Sequence, residues 1–274
     1  MAYVINTVEG EEMEIIVCVK PVLDPDMPPM KFSIDSGKNC VIPPEGIPAV
    51  INPYDALAVE AAIRIKEQQG GKITAVTLAK SSGEDVLRKA LAMGADEACL
   101  ISDDSMEEYD GFTRASVLAQ AVKKIGAYDL ILCGRQAADW DLGITGSIIA
   151  EYLSIPVITR AKKISVANGK FNVERITAWG NEVYEMEAPA LITISNEFGQ
   201  ARIPSGWGIV SATRKQITKW TSADMGNEIP KTGGGNILMK LYPASNNRNC
   251  EFIKSENMAE AASRLAGILA GLAK

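Results

Sequence analysis

Apolar positions between residues 14 and 153 follow two alternating rhythms. Short, nearly unbroken apolar runs at 14–20 (EIIVCVK), 73–78, 98–101 and 130–133 have the length and content of strands buried on both faces. Apolar residues at helical spacing occupy 55–68, 83–93, 112–125 and 143–153. Strand, loop and helix repeated in this order predict an α/β fold with a doubly wound, mostly parallel sheet. Such sheets bind ligands outside the carboxyl ends of their strands, so the loops after Val19, Val76 and Cys133 are expected to converge.

The rhythm changes after residue 165. Runs at 170–176 and 182–187 predict a β-hairpin whose turn contains Gly180 and Asn181. Past Pro204 the chain reads as irregular, with Gly206, Gly208, the glycines 233–235 and polar sequence through Asn249, before an apolar helix at 258–272. The expected organisation is an N-terminal extension over 1–13, a nucleotide-binding-type α/β domain with the hairpin over 14–214, and a C-terminal arm over 215–274. The alanines and leucines of the last helix need an apolar surface, on a partner subunit or on the chain's own domain.

Segment 129–147, DLILCGRQAADWDLGITGS, is the densest in candidate chemistry. Between its strand and its helix lie Gly134, Gln136, Asp139, Asp141, Gly143, Thr145 and Gly146, a turn whose glycines would let backbone amides approach a phosphate. An ordinary, well-capped strand-to-helix loop is the plainer alternative. Asn52, Pro53, Tyr54 and Asp55 precede the first strong helix, where Asn52 or Asp55 is expected to cap free amides and Pro53 to end the preceding extended segment. Glu84 and Asp85 suit the positive end of the helix at 83–93, a structural role.

Composition narrows the function classes. The 274 residues are 47% apolar with net charge −6 and no basic cluster, which disfavours nucleic acid or an anionic membrane as partner. The five cysteines lack CxxC spacing and read as reduced, buried thiols of a cytoplasmic protein. Residues 1–14 resemble no signal or transit peptide, and no run is long enough to span a membrane. The chain has no histidine, which excludes histidine-based triads and removes the commonest metal ligand. Its chemistry is therefore expected to come from a cofactor.

Four segments taken together resemble the β subunit of electron transfer flavoprotein: VCVKPVLDP (17–25), INPYDALAVEAAIRIKE (51–67), LRKALAMGADEA (87–98) and DLILCGRQAADWDLGITGSIIAEYL (129–153). Arg175, Glu182 and Pro189 leading into 190–193 resemble the family's signature segment, and the likeness covers about 13–216. The resemblance implies a sheet of the adenine-nucleotide α-hydrolase-like type and a heterodimer with an α subunit that holds most of the redox FAD. It implies an electron carrier, not an enzyme on its own. Electrons would pass from flavin dehydrogenases, such as the acyl-CoA dehydrogenases of fatty acid oxidation, to a membrane or quinone-linked acceptor. The β subunit of the family holds a second adenine nucleotide, AMP in ordinary members and a second FAD in electron-bifurcating members that oxidise NADH.

Carried onto this chain, that pocket involves Cys18, Asn52, Pro53, Tyr54, Asp55, the strand end from Val76 to Leu78, and the loop from Gly134 to Thr145. Amides around Gly143 to Ser147 would receive phosphate, with the Thr145 and Ser147 hydroxyls adding donors. Asp139 and Asp141 suit ribose hydroxyls, backbone amides or the adenine amino group, and Gln136 suits either kind of partner.

The chain departs from the family in three places. The loop resembles DDDxNQTG in ordinary members and DGDTAQVG in bifurcating ones, but here residues 139–146 read DWDLGITG; Thr145 leans toward AMP, and Trp140 is bulkier than either counterpart. Ser195 stands before Asn196 and Glu197 where ordinary members carry a leucine that anchors acyl-CoA dehydrogenases, implying a different docking surface with Phe198 or Ile194 as candidate substitutes. Pro25 stands where the family has a tyrosine near the flavin, within a proline-rich loop over 25–48. AMP is the expected nucleotide, with FAD and bifurcation as the alternative. A free nucleotide-binding or signalling module of the same sheet type is a third reading, and the apolar C-terminal helix speaks against it.

Overall fold

A computed structural model of the chain describes residues 12–80, 82–102, 109–225, 238–242 and 250–272. Most of the expected extension (1–11), the glycines 233–235 and much of the polar stretch before Asn249 lie outside the described residues. A nine-stranded sheet runs through the molecule, built from β1 (Glu14–Cys18), β6 (Lys72–Leu78), β7 (Glu97–Ile101), β8 (Leu130–Gly134), β9 (Val157–Ala167), β10 (Lys170–Thr177), β11 (Gly180–Glu187), β12 (Ala190–Ile194) and β13 (Ile217–Trp220). Its order is β11-β10-β9-β12-β8-β1-β6-β7-β13. Every pairing from β9 to β13 is parallel, while β10 and β11 add an antiparallel extension at one end. Two small sheets lie between β1 and the first long helix: β2 (Pro21–Val22) with β5 (Val50–Ile51), and β3 (Ser33–Asp35) with β4 (Cys40–Ile42).

Alternation along the central strands divides the core in two. Ile15, Val17, Ile73, Leu130, Leu132 and Ile192 face a layer that includes α1 (Pro53–Gln69) and α2 (Gly83–Met93). Ile16, Val76, Cys99, Ile131, Cys133 and Leu191 face α3 (Gly111–Ile125) and α4 (Thr145–Leu153). Helices on both faces explain why these strands read as continuous apolar runs. The expected α/β, doubly wound, mostly parallel sheet is the one observed.

The structure departs from expectation beyond residue 153. β9 escapes a simple alternation because Arg160 sits at positive φ (60°) beside a register shift, so the apolar period slips mid-strand. The turn between β10 and β11 is made by Ala178 and Trp179, and Gly180 already begins β11. The stretch after Pro204 is ordered: α5 (Gly206–Arg214) follows a cap in which the Ser205 hydroxyl accepts from Gly208 N at 3.1 Å, and Arg88 Nη1 closes its far end on Ala212 O and Lys215 O. Strand β13 then pairs in parallel with β7, so residues expected in the arm complete the sheet edge. Helix α6 (Met258–Leu272) forms where the periodicity places it, with none of its residues buried.

Two anchorages bear on the site. Glu60, buried on α1, accepts from Arg202 N and Nε and from Arg64 Nε, and Arg202 also reaches Glu67, pinning the loop before α5 to α1. Helix α4 lies so close to the sheet that a Cβ on Gly146 would come within 2.6 Å of Thr193 Cγ2 and 3.2 Å of Leu191 Cδ2. The Gly146→Ala variant must push α4 outward. It is expected to lose about 1–3 kcal/mol in denaturant unfolding, whereas an unchanged midpoint would show that α4 seats otherwise.

Candidate functional site

Strand β1 lies between β8 and β6, so the loops after β1 and β8 leave the sheet side by side at its carboxyl edge. The N-terminus of α1 sits above them and joins them. The Asp55 carboxylate accepts from Lys20 N (2.8 Å) just past β1 and from Gly134 N (3.0 Å) at the end of β8. The Asn52 side chain donates to Gln136 O (2.9 Å) and accepts from Ala138 N (3.1 Å), while its backbone N donates to Lys20 O (2.9 Å). Neither side chain caps α1, contrary to the sequence expectation. Both are buried, and a buried polar side chain is satisfied by the partners nearest to it, here the amides and carbonyl of two foreign loops. Pro53 opens α1 as its first residue.

Gly134 permits this arrangement, since a Cβ there would fall 2.4 Å from Asp55 Oδ1 and 2.7 Å from Tyr54 Cβ. Packing of α1 on β8 thus explains this glycine without reference to a phosphate, as packing of α4 on β12 explains Gly146. Burial drives the Asp55 carboxyl up from 3.8 to about 7, against the opposing pull of its hydrogen bonds and the Lys20 charge.

The loop from Gly134 to Thr145 folds over this base. Gln136 Nε2 donates to Asp141 Oδ1 (2.8 Å), Arg135 Nε donates to Gln136 Oε1 (2.8 Å), and the Arg135 guanidinium lies 5.5 Å from the centroid of the Tyr54 ring. Asp141 and Gly143 both adopt positive φ (51° and 63°), which bends the loop back toward α4. Asp139 pairs with Lys20 Nζ at 2.5 Å across the loop mouth. Trp140 is exposed at the loop tip. Helix α4 then begins at Thr145 without a side-chain cap, and the exposed Ser147 lies in its first turn.

The structure therefore brings Asn52, Pro53, Tyr54, Asp55, Gly134, Gln136, Asp139, Asp141, Gly143, Thr145, Gly146 and Ser147 to one edge of the sheet. Cys18, Val76 and Leu78 lie beneath them, buried in the core, with Cys18 in register with both Val76 and Cys133. The neighbouring Cys18 and burial push the Cys133 thiol well above its ordinary value, which makes it a poor nucleophile; Cys99 is buried as well, whereas Cys40 and Cys250, which lie outside the main sheet, are exposed, contrary to the expectation of five buried thiols. The loop after β6 turns into α2. Sequence reading missed Lys20, whose partner Asp139 lies 119 residues away, and Arg135, which stands over the Tyr54 ring; a basic residue within two positions of each strand's end was the available signal.

The segment carrying Ser195 lies beside this edge. Ser195 is buried with its hydroxyl bonded to Glu197, which holds that carboxyl below its usual range, helped by the Arg135 and Arg160 charges. Ile194 is fully buried in β12 and cannot serve as an exposed anchor, and Phe198 lies under the Arg64 guanidinium at 5.1 Å. The exposed apolar side chains nearby in sequence include Ile203, Trp207, Ile209 and Val210.

Polar groups of both signs meet at this edge. Uncapped first-turn amides of α4, two hydroxyls and the Lys20 and Arg135 cations suit a phosphate, while the Asp139 and Asp141 carboxylates suit hydroxyl or amino donors. The described residues hold no cluster of side chains suited to a metal ion and no helix long and apolar enough to cross a membrane.

Comparison with known proteins agrees with this architecture. The model of the electron transfer flavoprotein domain matches residues 40–225, ending where the sheet is complete. The electron transfer flavoprotein subunit beta of Thermoanaerobacterium thermosaccharolyticum is 40% identical over 212 residues, covering 77% of this chain and 79% of that one. Its counterpart from Megasphaera elsdenii is 40% identical over 218 residues, covering 77% and 79%. The caffeyl-CoA reductase-Etf complex subunit CarD of Acetobacterium woodii is 38% identical over 215 residues, covering 78% and 80%.

Asp55 makes stability depend on pH. The folded chain holds a proton on this carboxyl up to about pH 7, whereas the unfolded chain releases it near 3.8, so this group's contribution to stability falls as pH rises between those values. Urea midpoints of the wild type between pH 5 and pH 8 are expected to carry this downward component, and Asp55→Asn is expected to remove it. Parallel profiles for the two proteins would contradict the assignment.

Proposed function

The chain belongs to the electron transfer flavoprotein family, among β subunits that pair with an α subunit, and from that premise we propose that it is the electron-carrying β subunit of such a heterodimer with AMP held at the edge formed by α1, α4 and the β8 loop. The observation that carries this reading is the stitching of the β1 and β8 loops by Asn52 and Asp55, which fixes a polar platform beside the uncapped start of α4. Amides of the first turn of α4, with Thr145 and Ser147, hold the phosphate; Gln136, Asp139 and Asp141 face the ribose and base.

A flavin held mainly by the α subunit supplies the redox chemistry. This chain's residues contribute binding, shape and docking. The donor is a flavin dehydrogenase and the acceptor is quinone-linked. Docking uses Ile203, on a loop that Arg202 fixes to α1, and Trp207, in the first turn of α5, instead of the leucine anchor of ordinary members.

A second reading rests on the likeness to a subunit of a caffeyl-CoA reductase-Etf complex. In it the same edge holds a second FAD and the heterodimer oxidises NADH as a bifurcating enzyme. Coexpression with the α subunit, denaturation of the purified heterodimer and mass-resolved counting of released nucleotides separate the two. One FAD and one AMP per heterodimer are expected; two FAD and no AMP would replace the first reading with the second. Asn52→Ala, which cuts both bonds from its side chain to the β8 loop, is expected to purify with at most about a tenth of the wild-type AMP and with its α-bound FAD intact. Full AMP occupancy in that variant would place the nucleotide elsewhere.

A further inference from the structure

Helix α1 and the antiparallel extension of the sheet enclose a cleft of about 500 Å³. Its floor is apolar, made by Ala61 and Ile65 on one face of α1, Ile164 of β9 and Phe198 of the segment after β12. Its rim is mainly cationic, and two of the cations are held in place. Arg64 Nε donates to Glu60 Oε1 at 2.7 Å with its guanidinium 5.1 Å from the centroid of the Phe198 ring, and Lys162 Nζ pairs with Glu174 Oε1 at 2.9 Å. Lys163, also on the rim, is exposed and makes no ion pair among the described residues. The two carboxylates of the rim are already engaged, Glu174 by Lys162 and Glu197 by the Ser195 hydroxyl. In a chain of net charge −6 this opening therefore keeps a surplus of positive charge above an apolar floor.

The cleft lies beside the position from which ordinary members of the family project a leucine. Ser195 occupies that position here, buried and bonded to Glu197, and Phe198 forms a wall of the cleft. The segment thus borders a hollow instead of supplying a projection. Arg64 Nη2 reaches Gln200 O at 3.4 Å and Arg202 binds Glu60 and Glu67, so the loop that carries the exposed Ile203 is tied to the same helix that floors the cleft. Cleft and loop form one continuous surface.

We propose that this cleft is a socket for the flavin dehydrogenase donor, taking an apolar side chain that projects from an acidic segment of that protein. Docking then runs in the reverse sense to the leucine arrangement, with the donor supplying the anchor and this chain the hollow. Lys163 selects for acidic flanks, because its charge is the one on the rim with no partner of its own. The inference rests on the reading of this chain as an electron-carrying subunit and names the chemistry of the surface its donor presents.

The test uses the coexpressed full-length heterodimer with labelled isoleucine methyl groups. The probe is an acetylated and amidated peptide of sequence DEGLGED, with KRGLGRK as its basic counterpart. The acidic peptide is expected to shift the Ile65 and Ile164 methyl resonances saturably, with an affinity that falls as salt is raised, and the basic peptide to leave them in place. Lys163→Glu is expected to weaken the acidic peptide about fivefold, and Gln68→Trp, which puts a bulky ring at the cleft, to abolish its binding. Both replaced side chains are exposed, so both variants are expected to keep the wild-type unfolding midpoint. No shift up to millimolar peptide, shifts confined to Ile203 and Ile209, equal binding of the two peptides, or wild-type affinity in Lys163→Glu would each overturn the socket while leaving the subunit reading intact. Shifts at Ile65 and Ile164 that appear on raising protein concentration without peptide would put a second copy of the chain in the cleft and overturn it as well. A chain that yields no flavin-containing heterodimer would overturn the carrier reading and the socket with it.

Discussion

A single buried carboxyl group holds the carboxyl edge of the sheet together. Asp55 accepts from the amide that follows β1 and the amide that ends β8, two strands that are neighbours in the sheet but are joined through more than a hundred intervening residues. Backbone amides at strand ends must find acceptors, and here one side chain from a helix above the sheet supplies both. The consequence is geometric. The two loops cannot separate without stranding a buried carboxyl or two amides in a dry environment, so their spacing becomes a property of the core. Asn52 repeats the device one layer further out, on Gln136 O and Ala138 N.

The platform depends on close packing from two directions. The absence of a side chain at Gly134 lets α1 descend onto β8, and the absence of one at Gly146 lets α4 descend onto β12. The polar loop is thereby held between two helix N-termini, whose dipoles favour negative charge in the space they share. The same chain treats its C-terminal part differently. Helix α5 and strand β13 complete the cover and the edge of the sheet, whereas no residue of α6 is buried.

The central strands and their helices were legible because burial on both faces leaves an unbroken apolar run, and no other element of this length has that composition. β9 was not, because the bulge at Arg160 shifts its period, and α5 and β13 were not, because glycines and a short amphipathic strand look irregular until β7 offers an edge. At the candidate site the residue types were legible but their partners were not. Asn52 and Asp55 read as caps, since a cap is the nearest use for such residues before a helix; their actual partners lie 35 to 86 residues away. Gly134 and Gly146 read as phosphate-approach glycines, and their packing roles depend on Tyr54, Asp55 and Thr193, which only the folded chain brings near.

The most direct test of this account is an experimental structure of the purified heterodimer with its native nucleotides. The account predicts nucleotide density between Tyr54, the 134–145 loop and the first turn of α4, its phosphate on the α4 amides, with the Asp55 bonds to Lys20 N and Gly134 N intact beneath it. A nucleotide bound elsewhere on this chain, or an edge in which those two amides have lost Asp55, would contradict it.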